Sequence, residues 1–221
     1  FPFQLMSLST TSCKSCRRPN CRQSGCSCTQ TLLTRSLNRD LLSLKSKSYF
    51  SDFIIQVGEC IYPVHRCILA ARSNVFLTMF QQRDTIEMTS SILILNNYNS
   101  SSIDLFLQYF YSDICVFTDE KKAEEILELA DKYNVESLKI LTEDYFILNK
   151  DNCLRLLILA DRHTATRLKD SALKFINNNL GQIFSETGTA DWTTFRQTYP
   201  NLVADLYEKV INLHSMLLVK K

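Results

Sequence analysis

Glycine and proline are scarce in this chain, four of each in 221 residues, and histidine is scarcer still at three. Four glycines leave no room for a glycine-rich loop of the kind that cradles phosphate. His65, His163 and His214 are dispersed, with no spacing that suits a metal site or a nucleophile–base pair. No apolar run approaches the roughly 20 residues of a membrane-spanning helix, and Met216-Leu217-Leu218-Val219 falls far short of it. Phe1 to Ser12 has neither a basic start nor a sustained apolar stretch, so no signal peptide is expected. The chain opens on Phe1, as a segment of a longer protein would. These absences argue against an enzyme and against a membrane. They favour a binding module inside the cell, in the nucleus or the cytoplasm.

Charge of either sign is also slight, at +2 overall, but it is unevenly spread. Eight basic residues precede Tyr49 against Asp40 alone, while the rest of the chain is mildly acidic. Scattered among Ser and Thr, such charges read as a solvated lead more readily than as a nucleic-acid surface. They form no compact basic cluster of the nuclear-import kind.

Cysteine is plentiful by comparison, and its nine copies fall into two groups. Cys60, Cys67, Cys115 and Cys153 stand alone in apolar surroundings, as reduced core cysteines do. Cys13, Cys16, Cys21, Cys26 and Cys28 crowd one polar stretch, an odd number that argues against a disulfide scaffold. Cys13, Cys16, Cys26 and Cys28 could hold a structural zinc, since Cys-x2-Cys is a favourable half-site. The alternative is a reduced tail without metal, because Cys26-x-Cys28 is tighter than the usual knuckle.

Residues 1–36 show little hydrophobic periodicity and read as a disordered tail. Leu37, Leu41 and Leu44 then form a short helical stripe. Phe53 to Val57 reads as a strand that turns at Gly58 into Cys60 to Tyr62, with Pro63 closing the second strand. Helices are expected over His65 to Arg72 and over Ser73 to Gln82, the latter capped by Ser73. Ile92 to Leu95 reads as a buried strand. Ser101 with Asp104 resembles a capping box for a helix over Ile103 to Tyr111. Another helix should start at Thr118 to Glu120 and bury Ala123, Ile126, Leu127, Ala130 and Tyr133.

Short helices follow, marked by Leu138, Leu141 and Tyr145, then by Leu154, Leu157, Ile158 and Asp161, then by Leu168, Ala172, Phe175 and Ile176. Trp192 sits in a looser stretch, and Tyr199 to Leu213 reads as a last helix with Pro200 in its first turn. No internal repeat is evident. A small early β element followed by helices indicates the α+β class.

The run FSDFIIQVGECIYPVHRCILAARSNVFLTMF, Phe50 to Phe80, is similar to the signature of BTB/POZ domains. LADKYNVESLKI, Leu129 to Ile140, resembles the family's last helical hairpin. LILADRHTATRLKDSALKFI, Leu157 to Ile176, is similar to the 3-box of speckle-type POZ proteins. YPNLVADLYEKV, Tyr199 to Val210, resembles the end of their shortened BACK domain. The resemblance implies a BTB/POZ fold over 37–148, 3-box helices over 149–179 and partial BACK helices over 180–221. No MATH-like sandwich fits in residues 1–36.

By that resemblance the chain pairs with itself or with a BTB relative through Leu37, Leu41, Leu44, Asp52 and Ile68. It also implies a grip on cullin-3, as the adaptor of a ubiquitin ligase, through Phe80, Asp84, Ile86, Leu157 and His163. Tyr207 matches a second contact that links dimers into chains. His65 matches the residue that opens the family's next helix, a packing or capping position. One departure bears on the cullin. Relatives carry a hydrophobic-x-Glu motif after the Met-Phe, but here Gln82 stands two before Asp84 and Thr85 two before Glu87. Loss of an apolar anchor removes a contact worth about 2 kcal/mol or more. Two other readings stay open: a hetero-assembly partner that recruits no cullin, and a zinc-stabilised nucleic-acid binder that uses the BTB domain to dimerise.

Overall fold

Alternation explains the centre of the molecule. In β1 (Phe53–Val57) the side chains of Phe53, Ile55 and Val57 are buried while Ile54 and Gln56 are half-covered, the period-two pattern of a strand packed on one face. The computed structural model describes residues 27–82, 86–181, 183 and 189–219. Gly58 turns the chain at φ 57, a left-handed conformation that L side chains resist. β2 (Cys60–Val64) then pairs antiparallel with β1, and β3 (Ile92–Ile94) pairs parallel on the other side, giving the order β2-β1-β3.

Pro63 does not end β2, contrary to expectation. It lies in register with Ile54 on an edge strand, where a residue without an N–H is tolerated. β3 is only half-covered, and the buried side chain beside it is Leu95.

Helices α2 (Arg66–Arg72), α3 (Asn74–Gln81) and α4 (Ile86–Ser90) cross from β2 to β3. Ser73 caps α3 as expected, its hydroxyl accepting the Phe76 N–H at 3.1 Å. α5 (Ser100–Ser112) is buried on most of its circumference, from Ile103 through Phe110 and Tyr111, as a helix apolar nearly all round must be. Its cap is Asn99, whose side chain accepts from the Ser101 N–H at 3.1 Å, and not the expected Ser101. Asp104 is engaged elsewhere, with Lys45 at 2.6 Å.

α6 (Glu120–Lys132) is capped by Asp119, which accepts the Lys122 N–H at 2.8 Å. It buries Ala123, Ile126, Leu127 and Ala130, and Tyr133 just past its end is buried too, as the sequence periodicity indicated. Phe76 stacks on Tyr133 with ring centroids 4.5 Å apart, fastening α3 to the end of α6.

α7 (Glu136–Glu143), α8 (Cys153–Arg162), α9 (Thr166–Asn178), α10 (Thr189–Thr198) and α11 (Pro200–Val219) complete the α+β architecture. α7 buries Leu138 but leaves Leu141 exposed. α8 turns Cys153, Leu156, Leu157 and Ala160 inward, which differs from the expected face of Leu154, Leu157, Ile158 and Asp161. Trp192 lies in α10, a helix where a looser stretch was expected.

Among the described residues three clusters make the core. One joins the sheet to α2, α3, α5, α6 and α7. A second joins α8, α9, α10 and α11. A third, with Ala123, Leu127, Phe146, Leu156, Ala160 and Leu168, bridges the other two.

α1 spans Ser27–Lys47, so the helix begins well before the Leu37 start read from the sequence. The rest of the expected tail, with Cys13, Cys16 and Cys26, lies outside the described residues, as does the Cys28 side chain. Among the described residues no group of three His, Cys, Asp or Glu is placed to hold a metal ion, and no helix is long and apolar enough to cross a membrane.

Candidate functional site

α1 offers two faces. Asn38, Leu42 and Lys45, at i, i+4 and i+7, lie against the protein's own α5. Asn38 Nδ2 donates to the Ser112 carbonyl at 2.6 Å, Lys45 Nζ reaches Asp104 Oδ1 at 2.6 Å, and Leu42 packs on the core. Leu37, Leu41 and Leu44 lie one step round the helix. Leu41 packs on the core edge and Leu44 is half-buried, while Leu37 stays 59% exposed. The expected leucine stripe is therefore shared: part rests on its own domain and part faces outward.

Asp52 is exposed, and its Oδ1 accepts the Arg66 N–H at 2.8 Å, so it caps α2 from fourteen residues upstream. Ile68 is half-buried against the core. His65, which precedes α2, makes no side-chain cap. It is buried, with Nε2 2.7 Å from the Tyr49 carbonyl and Nδ1 2.8 Å from the Tyr111 hydroxyl. A ring that donates from Nε2 accepts the tyrosine proton at Nδ1, and both nitrogens are then satisfied. Burial pushes the Tyr111 phenol up to about 12, so it remains a donor at neutral pH. His65 thus ties the loop before β1 to α5.

Of the residues expected to face a cullin, the three whose side chains are described, Phe80, Leu157 and His163, form no shared exposed patch. Phe80 is half-buried, edge-on to Phe53 at 5.0 Å and stacked on Phe76 at 5.8 Å. Asp84 and the Ile86 side chain lie outside the described residues. Leu157 is wholly buried between α8 and α9 and presents no surface. The His163 side chain is largely covered, with Nδ1 3.8 Å from Asp131 Oδ2, and burial lowers its pKa more than the nearby acids raise it.

Around these positions α8 displays other residues. Leu154, Ile158 and Arg162 line a groove of about 450 Å³, closed by Glu124 of α6 and by Phe195 and Tyr199. The α8 sequence is nearly continuous in leucine and isoleucine, so periodicity alone could not tell the groove-lining residues from the core ones.

Tyr207 is 61% exposed on α11, with Ile211 exposed one turn later. Ion pairs anchor the opposite side of this helix, Lys169 to Asp205 at 2.7 Å and Lys209 to Asp170. Sequence reading passed over one feature. Phe50 sits in the left-handed region at φ 60 with its ring 91% exposed. A bulky side chain held in that conformation and in water carries two costs at once. Cys60 and Cys67 are exposed, contrary to expectation, because one opens an edge strand and the other faces outward from α2; Cys115 is half-buried and Cys153 buried.

Comparison with known proteins matches residues 41–150 to the BTB/POZ domain family model. The chain is 33% identical over 178 residues to Protein maternal effect lethal 26 of Caenorhabditis elegans, covering 80% of this chain and 44% of that protein. It is 31% identical over 188 residues to TD and POZ domain-containing protein 1-like of Mus musculus, covering 84% of this chain and 50% of the relative. TD and POZ domain-containing protein 1 of the same species gives the same identity and coverage. The chain thus spans about half the length of these relatives. Among solved structures, the BTB domain of zebrafish PATZ1 aligns with a TM-score of 0.44 at 20% identity, over 52% of this chain and 91% of that one.

Proposed function

Residues 41–150 are a BTB/POZ domain, a protein–protein interaction module, and from that premise we propose that the chain is a homodimeric adaptor for a cullin-3 ubiquitin ligase. It supplies contacts, and other subunits do the chemistry. The observation that carries the dimer is the division of labour on α1. One face is bonded to α5 through Asn38 and Lys45, while Leu37 projects an apolar side chain into water. A second copy related by two-fold symmetry buries that face at no cost to the first.

For the cullin, the exposed groove beside α8 stands in for Leu157, which has no free surface. An apolar floor of Leu154, Ile158, Phe195 and Tyr199 under a charged rim suits a partner segment with apolar anchors. The sequence Gln81 to Ser91 supports a second reading, a hetero-assembly partner that pairs with relatives but recruits no cullin. It lacks an apolar residue two before either acid.

Two measurements test these readings. Light scattering on Leu37→Asp should give monomers where the parent gives dimers, and persistent dimers would overturn the α1 interface. The variant should fold normally, since Leu37 lies off the core. Calorimetry against a purified cullin-3 N-terminal domain separates the two functions. Binding by the dimer sustains the adaptor, and a stable dimer without binding leaves the hetero-assembly partner.

A further inference from the structure

The end of α6 and the end of α8 carry the same letters, Leu129-Ala130-Asp131 and Leu159-Ala160-Asp161. Leu138-Lys139 and Leu168-Lys169 follow at the same spacing, so every counterpart lies thirty residues along. The backbone repeats as well. Asn134 and Thr164 both turn through the left-handed region at φ 49. Val135 N–H donates to the Ala130 carbonyl and Ala165 N–H to the Ala160 carbonyl, each at 2.8 Å. Asn134 N–H donates to the Asp131 carbonyl at 3.1 Å and Thr164 N–H to the Asp161 carbonyl at 3.3 Å. These paired bonds are the Schellman closure of a helix, made twice.

The side chains repeat too. Lys139 Nζ lies 2.7 Å from Asp131 Oδ1, and Lys169 Nζ lies 2.7 Å from Asp161 Oδ1. Each lysine then reaches forward to the element that follows its own hairpin. Lys139 donates to Thr164 Oγ1, in the turn of the second hairpin, at 2.8 Å. Lys169 reaches Asp205 of α11 at 2.7 Å.

We propose that α6–α7 and α8–α9 are two copies of one helical-hairpin unit, whose Asp–Lys pair positions the next element, so that the BTB/POZ domain and the helices after it open as one body. Burial decides how firm each joint is. Lys139 is buried, and the first joint has a second buried link, since the Leu168 N–H donates to Glu143 Oε2 at 2.7 Å. α9 has no side-chain cap of its own at Ala165, so Glu143 supplies one from the preceding unit. The apolar cluster of Leu127, Phe146, Leu156 and Leu168 crosses the same joint. The Lys169–Asp205 pair of the second joint is more exposed, while apolar residues of α9 and α11 and the Lys209–Asp170 pair also cross that joint.

Hydrogen exchange on the full chain tests this. In the parent, α8 and α9 amides should exchange with the same opening as those of α5. Lys139→Met should speed α8 and α9 at least about tenfold relative to α5. Lys169→Met should speed α11 alone. Should Lys139→Met fail to fold, Thr164→Val removes the forward bond and the Thr164–Asp131 bond at 3.0 Å, leaves the Lys139–Asp131 pair in place, and should give the same pattern more weakly. The proposal is overturned if α8 and α9 exchange independently of α5 in the parent. It is equally overturned if they keep their protection in the folded Lys139 or Thr164 variant, or if Lys169→Met loosens them as much as Lys139→Met does.

Discussion

The hairpins α6–α7 and α8–α9 share a turn, an Asp–Lys pair and a forward-reaching lysine, yet they sit in different surroundings. The Lys139 side chain is 9% exposed and that of Lys169 is 28% exposed. The same Asp–Lys pair at the two sites is therefore expected to have different energetic weight. Removing Lys139 leaves the half-covered Asp131 carboxylate with only part of its compensation, at a cost of about 1–3 kcal/mol. Near the surface, water and salt compensate most of the loss, and a pair is worth about 0–1 kcal/mol. A motif read from sequence identifies the interaction; its strength comes from the layer of protein laid over it.

The largest predicted effect follows directly. Lys139→Ala should lower unfolding stability by about 3 kcal/mol in urea titration, and Lys169→Ala by less than about 1. Equal losses would mean that the two joints are equivalent despite their burial. Next comes Glu143→Ala, which strips the Leu168 N–H of its acceptor and should cost about 1–3 kcal/mol by the same titration. In α6–α7 the matching Leu138 N–H donates to the Val135 carbonyl at 3.1 Å, so the change probes what distinguishes the second copy.

The smallest effect is the pH response of the outer joint. Hydrogen bonds from Lys174 and then Lys209 hold the Asp170 carboxyl below its usual 3.8. That stabilisation is present above 3.8 and fades as the pH falls through the lower folded value. Hydrogen bonds to Asp161 and then Asp205 raise the Lys169 ammonium above 10.5, so its contribution holds below that pH and is lost as the pH rises through the folded value. Asp170→Asn should therefore lower the melting temperature slightly at neutral pH. The gap from the parent should close in acid, as followed by circular dichroism. A gap that persisted at low pH would show that the carboxylate contributes through something other than its charge.

Much of the first hairpin was legible beforehand. The apolar spacing of α6 marked its buried face, and Ser73 and Gly58 marked a cap and a turn, because each depends on bonds closing within a few residues. The repeat was not legible. Beyond the Leu-Ala-Asp and Leu-Lys letters only scattered matches such as Leu127 with Leu157 agree, and all six residues between the two groups differ. The candidate contacts fared unevenly for a related reason. α8 is apolar at Leu154 and at Leu156 to Leu159, so spacing could not tell that Leu157 faces the core while Leu154 and Ile158 line a groove.

By itself the amino-acid sequence determined the α+β class, the BTB/POZ signature from Phe50 to Phe80, and the local stops and starts at Gly58, Ser73 and Asp119. These features need only backbone preference, capping chemistry and hydrophobic period. Tertiary structure alone decided that α1 carries two faces, because one of them is defined by Asn38 meeting Ser112, 74 residues away. It also decided that Lys139 is buried, that Pro63 is harmless on an edge, and that Phe50 stands in water. The physical reason is common to all four. Burial belongs to the neighbours a residue acquires, and those neighbours come from distant parts of the chain.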